Sequence, residues 1–462
     1  LRPPSVPLVS VDPFFSVWSP ADRLSDAPSA HWSGQPQPLT ALLRVDGRAF
    51  RLLGADPAEL PALPQTSCTV FPLRTVCRFA GESVEAELTF STPLIPGRLD
   101  VFARPVTYVA LSVKALDGKA HALQFYFDAG GEIAVGSDDQ SVVFQAERAP
   151  GLAAVRMGRD QQPVLGRSGD RVRVDGGWFW LAAPEAGATV RAAAGPEARA
   201  GFAASGKLPE AAPPTPAVVK DTRPVVALAR DFGAVREAAC HLLLAYDDVD
   251  AVMFFNRPLK AWWRRSGLAF ADMLGAAERD YAGLAAEMAA FDDELLADLK
   301  RVGGERYAAL AALAYRQSFA ACKLVADPNG QPLYFSKENA SNGCMGTVDV
   351  LYPQFPHLLL MSPALARATL APILLYASDP RWRFDFAPHD IGQYPLGNGQ
   401  RYGEGERGEK NQMPVEECGN MLICLGALSQ IEGRAAFAAQ WWPTVTRWAE
   451  YLAKKEIGRA HV

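Results

Sequence analysis

The pattern of apolar residues changes once along this chain, near residue 230, and this change limits the folds that the chain can adopt. Before it, short runs of alternating or continuous apolar residues recur with Gly and Asp between them, as at 106–115 and 178–183, which is typical of strands. After it, apolar residues recur at i, i+3 and i+4, which is typical of helices. Because the strands come first and the helices follow, the order predicts a multidomain β + α protein rather than an α/β sheet.

The strand-like runs predict an N-terminal β-sandwich, because many short strands at this spacing are typical of two packed sheets. Asp117-Gly118, between the runs 106–115 and 120–127, predicts a hairpin. The helices predicted by periodicity are 234–246, 258–271, 276–300, 305–325, 363–377, 414–429 and 434–455. A barrel of six hairpins needs two helices for each hairpin. The sequence therefore predicts an incomplete (α/α)6 six-hairpin barrel after the sandwich.

These patterns divide the chain into four parts. Residues 1–65 form an N-terminal module rich in Pro and aromatic residues, 66–230 the β-sandwich domain, and 231–456 the first part of the (α/α)6 helical catalytic domain. Residues 457–462 break the helical pattern without a cap, and a common sequencing adapter encodes the same hexapeptide. We expect this last part to be a sequencing artefact and the natural chain to continue.

Composition limits the partners of the protein. Hydrophobic residues make up 49% of the chain and charged residues 21%, as in ordinary soluble globular proteins. The net charge is -5, and no basic stretch is long enough to predict a nucleic-acid partner. No apolar run reaches the length of about 18 residues that predicts a membrane span. The excess of Arg over Lys indicates a GC-rich bacterial genome.

The sequence predicts neither a metal site nor a cofactor. No pair among the seven cysteines has the spacing of zinc ligands, and Asp247, Asp248 and Asp250 match no calcium-binding loop. Cys68 and Cys77 could pair across a hairpin, but two buried thiols are favoured over a disulfide.

Two adjacent carboxylates begin the predicted helix at 414–429. Pro414 is suited to the first turn, so Glu416 and Glu417 would lie beside the positive end of the helix dipole. Capping a helix needs only one acid there. We therefore expect one of the two, with Glu416 favoured, to face a cavity as a general acid, and Asn420 to add a polar group beside it.

A rigid polar loop precedes that helix. His389 and Asp390 are followed within a few residues by Tyr394 and Asn398, with glycines that allow close approach to a ligand. We expect Asp390 to pair with a Glu for acid/base work. His389, Tyr394 and Asn398 are expected to bind substrate, with His389 also orienting its neighbour. A lone Pro-His-Asp is otherwise weak evidence, because histidines are often core residues.

A third polar segment, 336–349, is too long for a simple turn. It ends at Asp349, and Tyr352 and Gln354 follow it. Two interpretations stay open: a well-capped loop between two helices, or a second wall of the same pocket, with these three side chains binding substrate.

Several motifs resemble the fungal and bacterial glutaminase A family, from about residue 3 to about 455. They are Asp12-Pro13-Phe14-Phe15-Ser16-Val17-Trp18, His31-Trp32-Ser33-Gly34, Tyr246-Asp247-Asp248-Val249, Ala387-Pro388-His389-Asp390-Ile391-Gly392 and Met413-Pro414-Val415-Glu416-Glu417-Cys418-Gly419-Asn420-Met421. The resemblance implies a small N-terminal module, a β-sandwich and the first part of a six-hairpin helical domain. It also implies that a missing C-terminal domain normally packs on the helices. Named members are described as extracellular, which implies a secreted or periplasmic protein.

The resemblance implies a hydrolase that converts L-glutamine to L-glutamate and ammonia. An amidase usually needs an activated nucleophile, but the available Ser, Cys and Thr residues lie in no recognisable elbow or triad. The alternative is a glycoside hydrolase of the (α/α)6 type that uses paired carboxylates, since Glu416-Glu417 is similar to the general-acid segment of such enzymes. A second alternative is a non-catalytic carbohydrate-binding protein. In each case the expected partner is a small molecule.

Overall fold

The computed structural model describes residues 3–455; the predicted artefact at 457–462 lies outside them. Strands dominate the chain up to residue 259. They are β1 Val6–Ser10, β2 Ser16–Ser19, β3 Ala30–His31, β4 Leu39–Val45, β5 Arg48–Leu53, β6 Gln65–Val70, β7 Arg74–Ala80, β8 Val84–Ser91, β9 Val106–Ala115, β10 His121–Gly130, β11 Ser141–Ala149, β12 Leu152–Arg159, β13 Trp178–Pro184, β14 Ala188–Ala194, β15 Ala217–Val218, β16 Pro224–Val235, β17 Glu237–Asp247, β18 Val252–Phe254 and β19 Arg257–Leu259. Short helices between them are α1 Leu99–Phe102, α2 Gly195–Ser205 and α3 Val219–Thr222.

Two large sheets share one buried core. The five-stranded sheet has the order β14-β16-β10-β4-β5, and the nine-stranded sheet the order β15-β11-β12-β13-β17-β9-β8-β7-β6. Phe125 and Phe127 of the first sheet lie in the same apolar cluster as Phe79, Phe90 and Phe179 of the second. Burial of such rings stabilises each by roughly 1.5–3 kcal/mol, so this cluster holds the β-region together.

The helical region follows. Its elements are α4 Phe270–Ala320, β20 Cys322–Ala326, β21 Pro332–Ser336, α5 Val348–Met361, α6 Pro363–Ser378, β22 Leu396–Gly397, α7 Pro414–Glu432, α8 Ala436–Ala439 and α9 Trp442–Lys454. A β-region followed by helices is the order that the periodicity predicts, and it is confirmed. No described helix is both long and apolar enough to cross a membrane.

The predicted hairpin at Asp117-Gly118 is wrong. β9 pairs with β8 and β17, whereas β10 pairs with β4 and β16. The turn therefore carries the chain from one sheet to the other. A turn signal fixes where the chain reverses but not which sheet the next strand joins, and both strands have long apolar partners elsewhere.

The predicted helix at 234–246 is also wrong, because β17 occupies it. This strand lies inside the nine-stranded sheet, between β9 and β13, so residues 242–245 are buried together. A strand buried on both faces shows a continuous apolar run, and periodicity alone does not separate it from a buried helix. The strand extends past residue 230, where the predicted sandwich domain ends; the division into domains stays a prediction.

The remaining predicted helices are mostly confirmed. The helix predicted at 258–271 is replaced by β19 and a short 3-10 turn at Trp262–Ser266, which ends at a left-handed Gly267. The two helices predicted on either side of 300–305 are present and meet at Gly304, whose φ of 79° interrupts α4. The predicted helices beginning at Pro363 and Pro414 begin there.

A disulfide joins Cys68 to Cys77, which face each other across β6 and β7. The expectation of two free thiols was therefore wrong. Because the register places the two residues directly opposite, the disulfide cross-links β6 to β7 at the edge of the nine-stranded sheet.

Candidate functional site

A short backbone ladder aligns the two polar loops of the helical region. The N–H of Val348 donates to the carbonyl of His389 at 2.9 Å, and the N–H of Ile391 donates to that of Met345 at 3.0 Å. The N–H of Met345 in turn donates to the carbonyl of Gly392 at 2.8 Å. Because Asp349 directly follows Val348 in the first turn of α5, this register brings its side chain beside His389.

Asp390 is fully buried and organises the loop around it. One oxygen, Oδ1, accepts hydrogen bonds from the N–H groups of Gly392 and Arg401 at 2.9 and 2.8 Å. The other, Oδ2, accepts from the N–H of Tyr402 at 3.1 Å and from Nδ1 of His389 at 2.9 Å. The neutral imidazole then carries its proton on Nδ1 and its lone pair on Nε2. Asp390 thus orients His389 and has little capacity left for further partners.

Glu417 enters the same region from the first turn of α7. It is fully buried, and neither carboxyl oxygen has a hydrogen-bond partner among the described residues. Burial, reinforced by the nearby charges of Asp349, Glu416 and Asp390, raises the pKa of Glu417 to about 10, although the neighbouring side chain of Asn420 acts to lower it. A buried carboxyl group without a partner costs about 1–3 kcal/mol or more, so this position is not explained by packing.

Asp349, His389 and Glu417 converge, and we refer to them as the DHE cluster. One nitrogen or oxygen atom from each side chain lies within 4.8 Å of the corresponding atoms of the other two. Nε2 of His389 is 3.8 Å from Oδ1 of Asp349, which is too long for a hydrogen bond. That Oδ1 atom is buried without a partner, but the Asp349 side chain as a whole is 32% exposed. Solvent therefore reaches the DHE cluster from the side of Asp349.

Two further side chains hold His389 in place. The ring of Tyr402 stacks on the imidazole, with centroids 4.1 Å apart and planes 16° from parallel. The side-chain oxygen of Gln400 accepts from the N–H of His389 at 2.9 Å. The sequence does not predict a site role for Tyr402, whose one signal is its place in the Gly-rich polar loop.

The structure separates the other predicted residues of the helices from the DHE cluster. Glu416 is exposed, whereas its neighbour Glu417 points inward. Tyr352 is exposed. Gln354 faces α4, where its amide donates to the carbonyl and the hydroxyl of Ser318 at 3.1 and 2.9 Å.

The predicted residues of the loops and of the second turn of α7 have other surroundings. Tyr394 is buried, and its ring lies edge-on against Phe14 of the N-terminal module, with centroids 5.1 Å apart. Oδ1 of Asn398 accepts from the N–H of Asn256 at 2.7 Å. The contacts of Tyr394 and Asn398 suit roles in packing and loop geometry. Asn420 is buried in α7, and its side chain acts on the carboxyl group of Glu417.

A large cavity lies elsewhere in the described residues. It has a volume of about 1130 Å³ and is bounded by the N-terminal module, α4 and α5. Trp18, Trp32 and Leu360 are among its lining residues, and none of the DHE cluster is. We place the functional site at the DHE cluster because unpartnered polar atoms converge there, whereas this cavity is largely apolar.

Comparison with family descriptions gives three matches along the chain. The description "Glutaminase A six helical-hairpin domain" matches residues 304–461, and the domains of unknown function DUF5127 and DUF4964 match residues 73–298 and 1–64. The matches therefore cover the N-terminal module, the sheets and the helices in turn.

Two curated fungal proteins are similar over nearly the whole chain. Glutaminase A of Aspergillus oryzae is 30% identical over 481 residues, covering 99% of this chain and 67% of that protein. A probable glutaminase of Arthroderma benhamiae is 26% identical, covering 96% of this chain and 55% of that protein. The chain thus spans only about half to two thirds of the length of these relatives.

Among solved structures, the GH92 α-mannosidase of Bacteroides thetaiotaomicron is 10% identical, covering 92% of this chain and 55% of that chain, with a TM-score of 0.40. A similarity of this size supports no conclusion about the reaction of this chain.

Proposed function

This chain belongs to the glutaminase A family, and on that premise we propose that it hydrolyses L-glutamine to L-glutamate and ammonia. The observation that carries the proposal is the DHE cluster, in which an imidazole and two carboxyl groups meet beside a solvent-exposed edge. Amide hydrolysis needs a water molecule that loses a proton and a leaving nitrogen that gains one. The DHE cluster supplies groups for both transfers without a Ser or Cys nucleophile.

The geometry around His389 supports its role as the group that accepts a proton. Nε2 is free of hydrogen bonds among the described residues. Its direction is fixed, because Nδ1 is bound to Asp390 and the ring is stacked on Tyr402. A catalytic base must keep both its tautomer and its orientation. Asp390 is therefore a positioning residue in this proposal, and the side chains that face the substrate are Asp349, His389 and Glu417.

The second candidate function is glycoside hydrolysis. The observation that favours it is the pair of carboxyl groups of Asp349 and Glu417, because most glycosidases place two carboxyl groups across the bond they cleave. The raised pKa of Glu417, about 10, suits a group that donates a proton. The amidase is preferred because the curated relatives carry the glutaminase name.

One assay separates these functions. Purified protein is incubated with L-glutamine and, in parallel, with a panel of aryl glycosides, and ammonia and aryl alcohol are measured. Ammonia release that disappears in His389→Ala supports the proposed reaction. Aryl alcohol release without ammonia supports the glycosidase, and release of neither product contradicts both.

We also propose that the two sheets form a β-sandwich and that the helices belong to an (α/α)6 barrel. The buried core shared by the sheets supports the first statement. Exposed apolar side chains on the helices, among them Leu310, Leu360 and Ile423, support a barrel whose remaining helices come from further residues such as the longer relatives have. A structure of a longer natural chain in which these side chains stay exposed would contradict the barrel.

For the compartment we propose secretion or a periplasmic location. The disulfide between Cys68 and Cys77 supports this, because disulfides persist in oxidising compartments. The test is thiol alkylation of the protein isolated from its natural source: labelling of both cysteines without prior reduction would contradict the proposal.

A further inference from the structure

We propose that Asp349, His389 and Glu417 bind one divalent transition-metal ion, with Zn²⁺ as the first candidate, and that a water molecule completes its coordination. The sequence predicted no metal, because these three ligands come from separate segments with no characteristic spacing. With the ion bound, Nε2 of His389 is a ligand and no longer the base of the proposed reaction, and the ion activates the water in its place. That role of the ion rests on the proposed function; binding of the ion does not.

The DHE cluster contains buried polar atoms without partners. Oδ1 of Asp349 and both oxygens of Glu417 are buried and lack hydrogen-bond partners among the described residues. Glu417 is fully buried and His389 nearly so. One nitrogen or oxygen atom from each of the three side chains lies within 4.8 Å of the corresponding atoms of the other two. Ligand atoms around a tetrahedral Zn²⁺ are about 3.4 Å apart for bonds of about 2.1 Å, so small side-chain movements suffice.

The orientation of His389 also suits metal binding. Its Nδ1–H donates to Asp390 at 2.9 Å, which leaves Nε2 as the ligand atom. Histidines that bind metals usually donate their other N–H to a carboxylate in this way, because the bond fixes the ring and makes the ligating nitrogen more basic. Asp390 is itself held by three backbone N–H groups, those of Gly392, Arg401 and Tyr402.

Other ways to compensate the buried, unpartnered groups of the DHE cluster are weaker. One proton neutralises one carboxylate but leaves the other carboxylate and the imidazole lone pair without a partner. Asp349 and Glu417 both lie in the first turn of a helix, where the dipole stabilises an acid by only about 0.3–1 kcal/mol. One dication pairs with all three groups at once.

A neighbouring group, Cys344 with His389 and Asp390, also has ligand atoms within 4.8 Å of one another. It is a poorer site, since both oxygens of Asp390 are already hydrogen-bonded. Burial and nearby carboxylates also raise the pKa of the Cys344 thiol above its ordinary value, which opposes the thiolate that a metal needs.

The ligand types select the class of metal. One imidazole nitrogen and two carboxylate oxygens suit Zn²⁺ or a similar transition ion, whereas Ca²⁺ and Mg²⁺ prefer all-oxygen shells. Three protein ligands leave an open position for water, as in catalytic zinc sites. The partial exposure of Asp349 provides the path by which ion and water enter.

The test measures binding without relying on activity. The purified chain is stripped with a chelator, and Zn²⁺ binding is followed by calorimetry; Co²⁺ binding is followed by its visible absorption. We expect one ion per chain. Asp349→Asn and Glu417→Gln should each weaken Zn²⁺ affinity about tenfold or more. Loss of even an outer-shell partner costs about 10–100-fold in metal affinity. Glu416→Gln removes the same charge one residue away and should retain binding.

Each outcome bears on the proposal. Absence of stoichiometric binding, or equal binding by wild type, Asp349→Asn and Glu417→Gln, overturns it. If Glu417→Gln fails to fold by circular dichroism, the partly exposed Asp349→Asn decides. Metal binding without ammonia release would leave the metal site standing and the glutaminase proposal wrong. Full ammonia release by metal-free protein would leave the glutaminase standing and the metal site wrong.

Discussion

Asp390 is the residue on which the orientation of His389 depends. In Asp390→Asn the side chain keeps its size, but one of its two polar atoms becomes a donor that faces backbone N–H groups. We expect kcat for ammonia release to fall by about a hundredfold, in line with loss of an outer-shell partner, and KM to change little. The unfolding free energy should fall by about 1–3 kcal/mol. Steady-state kinetics and urea denaturation measure the two effects.

The control for this variant is Asp385→Asn, which changes an exposed aspartate in the same loop. It should leave kinetics and stability close to those of wild type. Equal kinetics for Asp390→Asn and Asp385→Asn would show that His389 does not depend on its carboxylate partner.

Because His31 is buried, we expect the protein to lose stability on mild acidification. The His31 side chain is buried and neutral: Nε2 donates to the carbonyl of Pro13 at 3.0 Å, and Nδ1 lies 2.8 Å from the hydroxyl of Ser33. Burial lowers the pKa of His31 to about 4, and the charges of Arg173 and Lys337 also lower it. The unfolded chain binds this proton near pH 6.5. Between about pH 6.5 and 4 the unfolded state therefore holds more protons, so stability falls as the pH falls.

Over that whole pH range, His31 changes the free energy of unfolding by an amount on the order of 3 kcal/mol. Urea unfolding of wild type and His31→Asn, repeated from pH 7.5 to 4.5, measures it. The variant is expected to be less stable at pH 7.5 and to lose less stability on acidification. Parallel curves for the two proteins would show that His31 does not carry the effect. The free energy of unfolding should still fall with pH in both proteins, because burial also lowers the pKa of His357 to about 4.

At the scale of elements, the turn at Gly392 sets the register between the loops of the site. Its φ is 152°, and a Cβ there would lie 2.1 Å from the carbonyl oxygen of Leu396. Gly392→Ala should therefore break the ladder that aligns Met345 with Ile391, at a cost of at least about 1–3 kcal/mol. The melting temperature and the rate of ammonia release should both fall.

Gly426→Ala is the matched control, since this glycine lies in α7 with open space around its Cα. It should raise stability by up to about 1 kcal/mol, because alanine favours the helix. A Gly392→Ala variant that melts like wild type would mean that the turn tolerates a side chain.

The elements that the sequence predicted well are those with one apolar face and a clear start. The helices that begin at Pro363 and Pro414 are examples. The errors have a common physical cause: β17 is buried on both sides and carries a continuous Ala and Leu run that periodicity also reads as a helix. The pairing of β9 and β10 with different sheets depends on contacts far along the chain, which no local turn signal contains.

For the candidate site, the sequence predicts the segments that meet at the DHE cluster but not their geometry. His389, Asp390, Glu417 and Asp349 are all predicted site residues, because polar residues in Pro- and Gly-rich loops are conspicuous; their roles stay predictions. The preference for Glu416 over Glu417 could not be settled from the sequence, since adjacent residues on a helix point about 100° apart and only the packing of α7 decides which is inside. Tyr402 needed the fold of the loop to be recognised.

At the scale of the whole molecule, buried charges join three distant parts of the chain. Nζ of Lys323 in β20 lies 2.6 Å from Oδ2 of Asp12 in the N-terminal module and 2.7 Å from Oδ2 of Asp248 after β17. The buried guanidinium of Arg316 in α4 likewise donates to the hydroxyls of Ser10 and Thr75 at 3.0 and 2.8 Å. These contacts make folding of the module, the sheets and the helices mutually dependent.

The strongest test of this dependence is Lys323→Met. Burial alone would lower the pKa of Lys323, but Asp12 and Asp248 together raise it above its ordinary value, so the ammonium group is firmly charged. Its removal leaves the buried carboxylate of Asp12 and the partly exposed carboxylate of Asp248 without their cation, and breaking a buried pair in this way costs about 3–5 kcal/mol. Urea denaturation should show this loss, and limited proteolysis should show earlier cleavage in the N-terminal module.

Two further variants show whether the loss is electrostatic. Lys300→Met removes an exposed lysine whose Nζ lies 3.3 Å from Glu305, and it should cost less than about 1 kcal/mol. Combining Lys323→Met with Asp248→Asn removes one of the stranded carboxylates, so the double variant should recover part of the lost stability. If instead the two substitutions add, the pair contributes only packing. The three parts would then be joined by their apolar contacts rather than by Lys323.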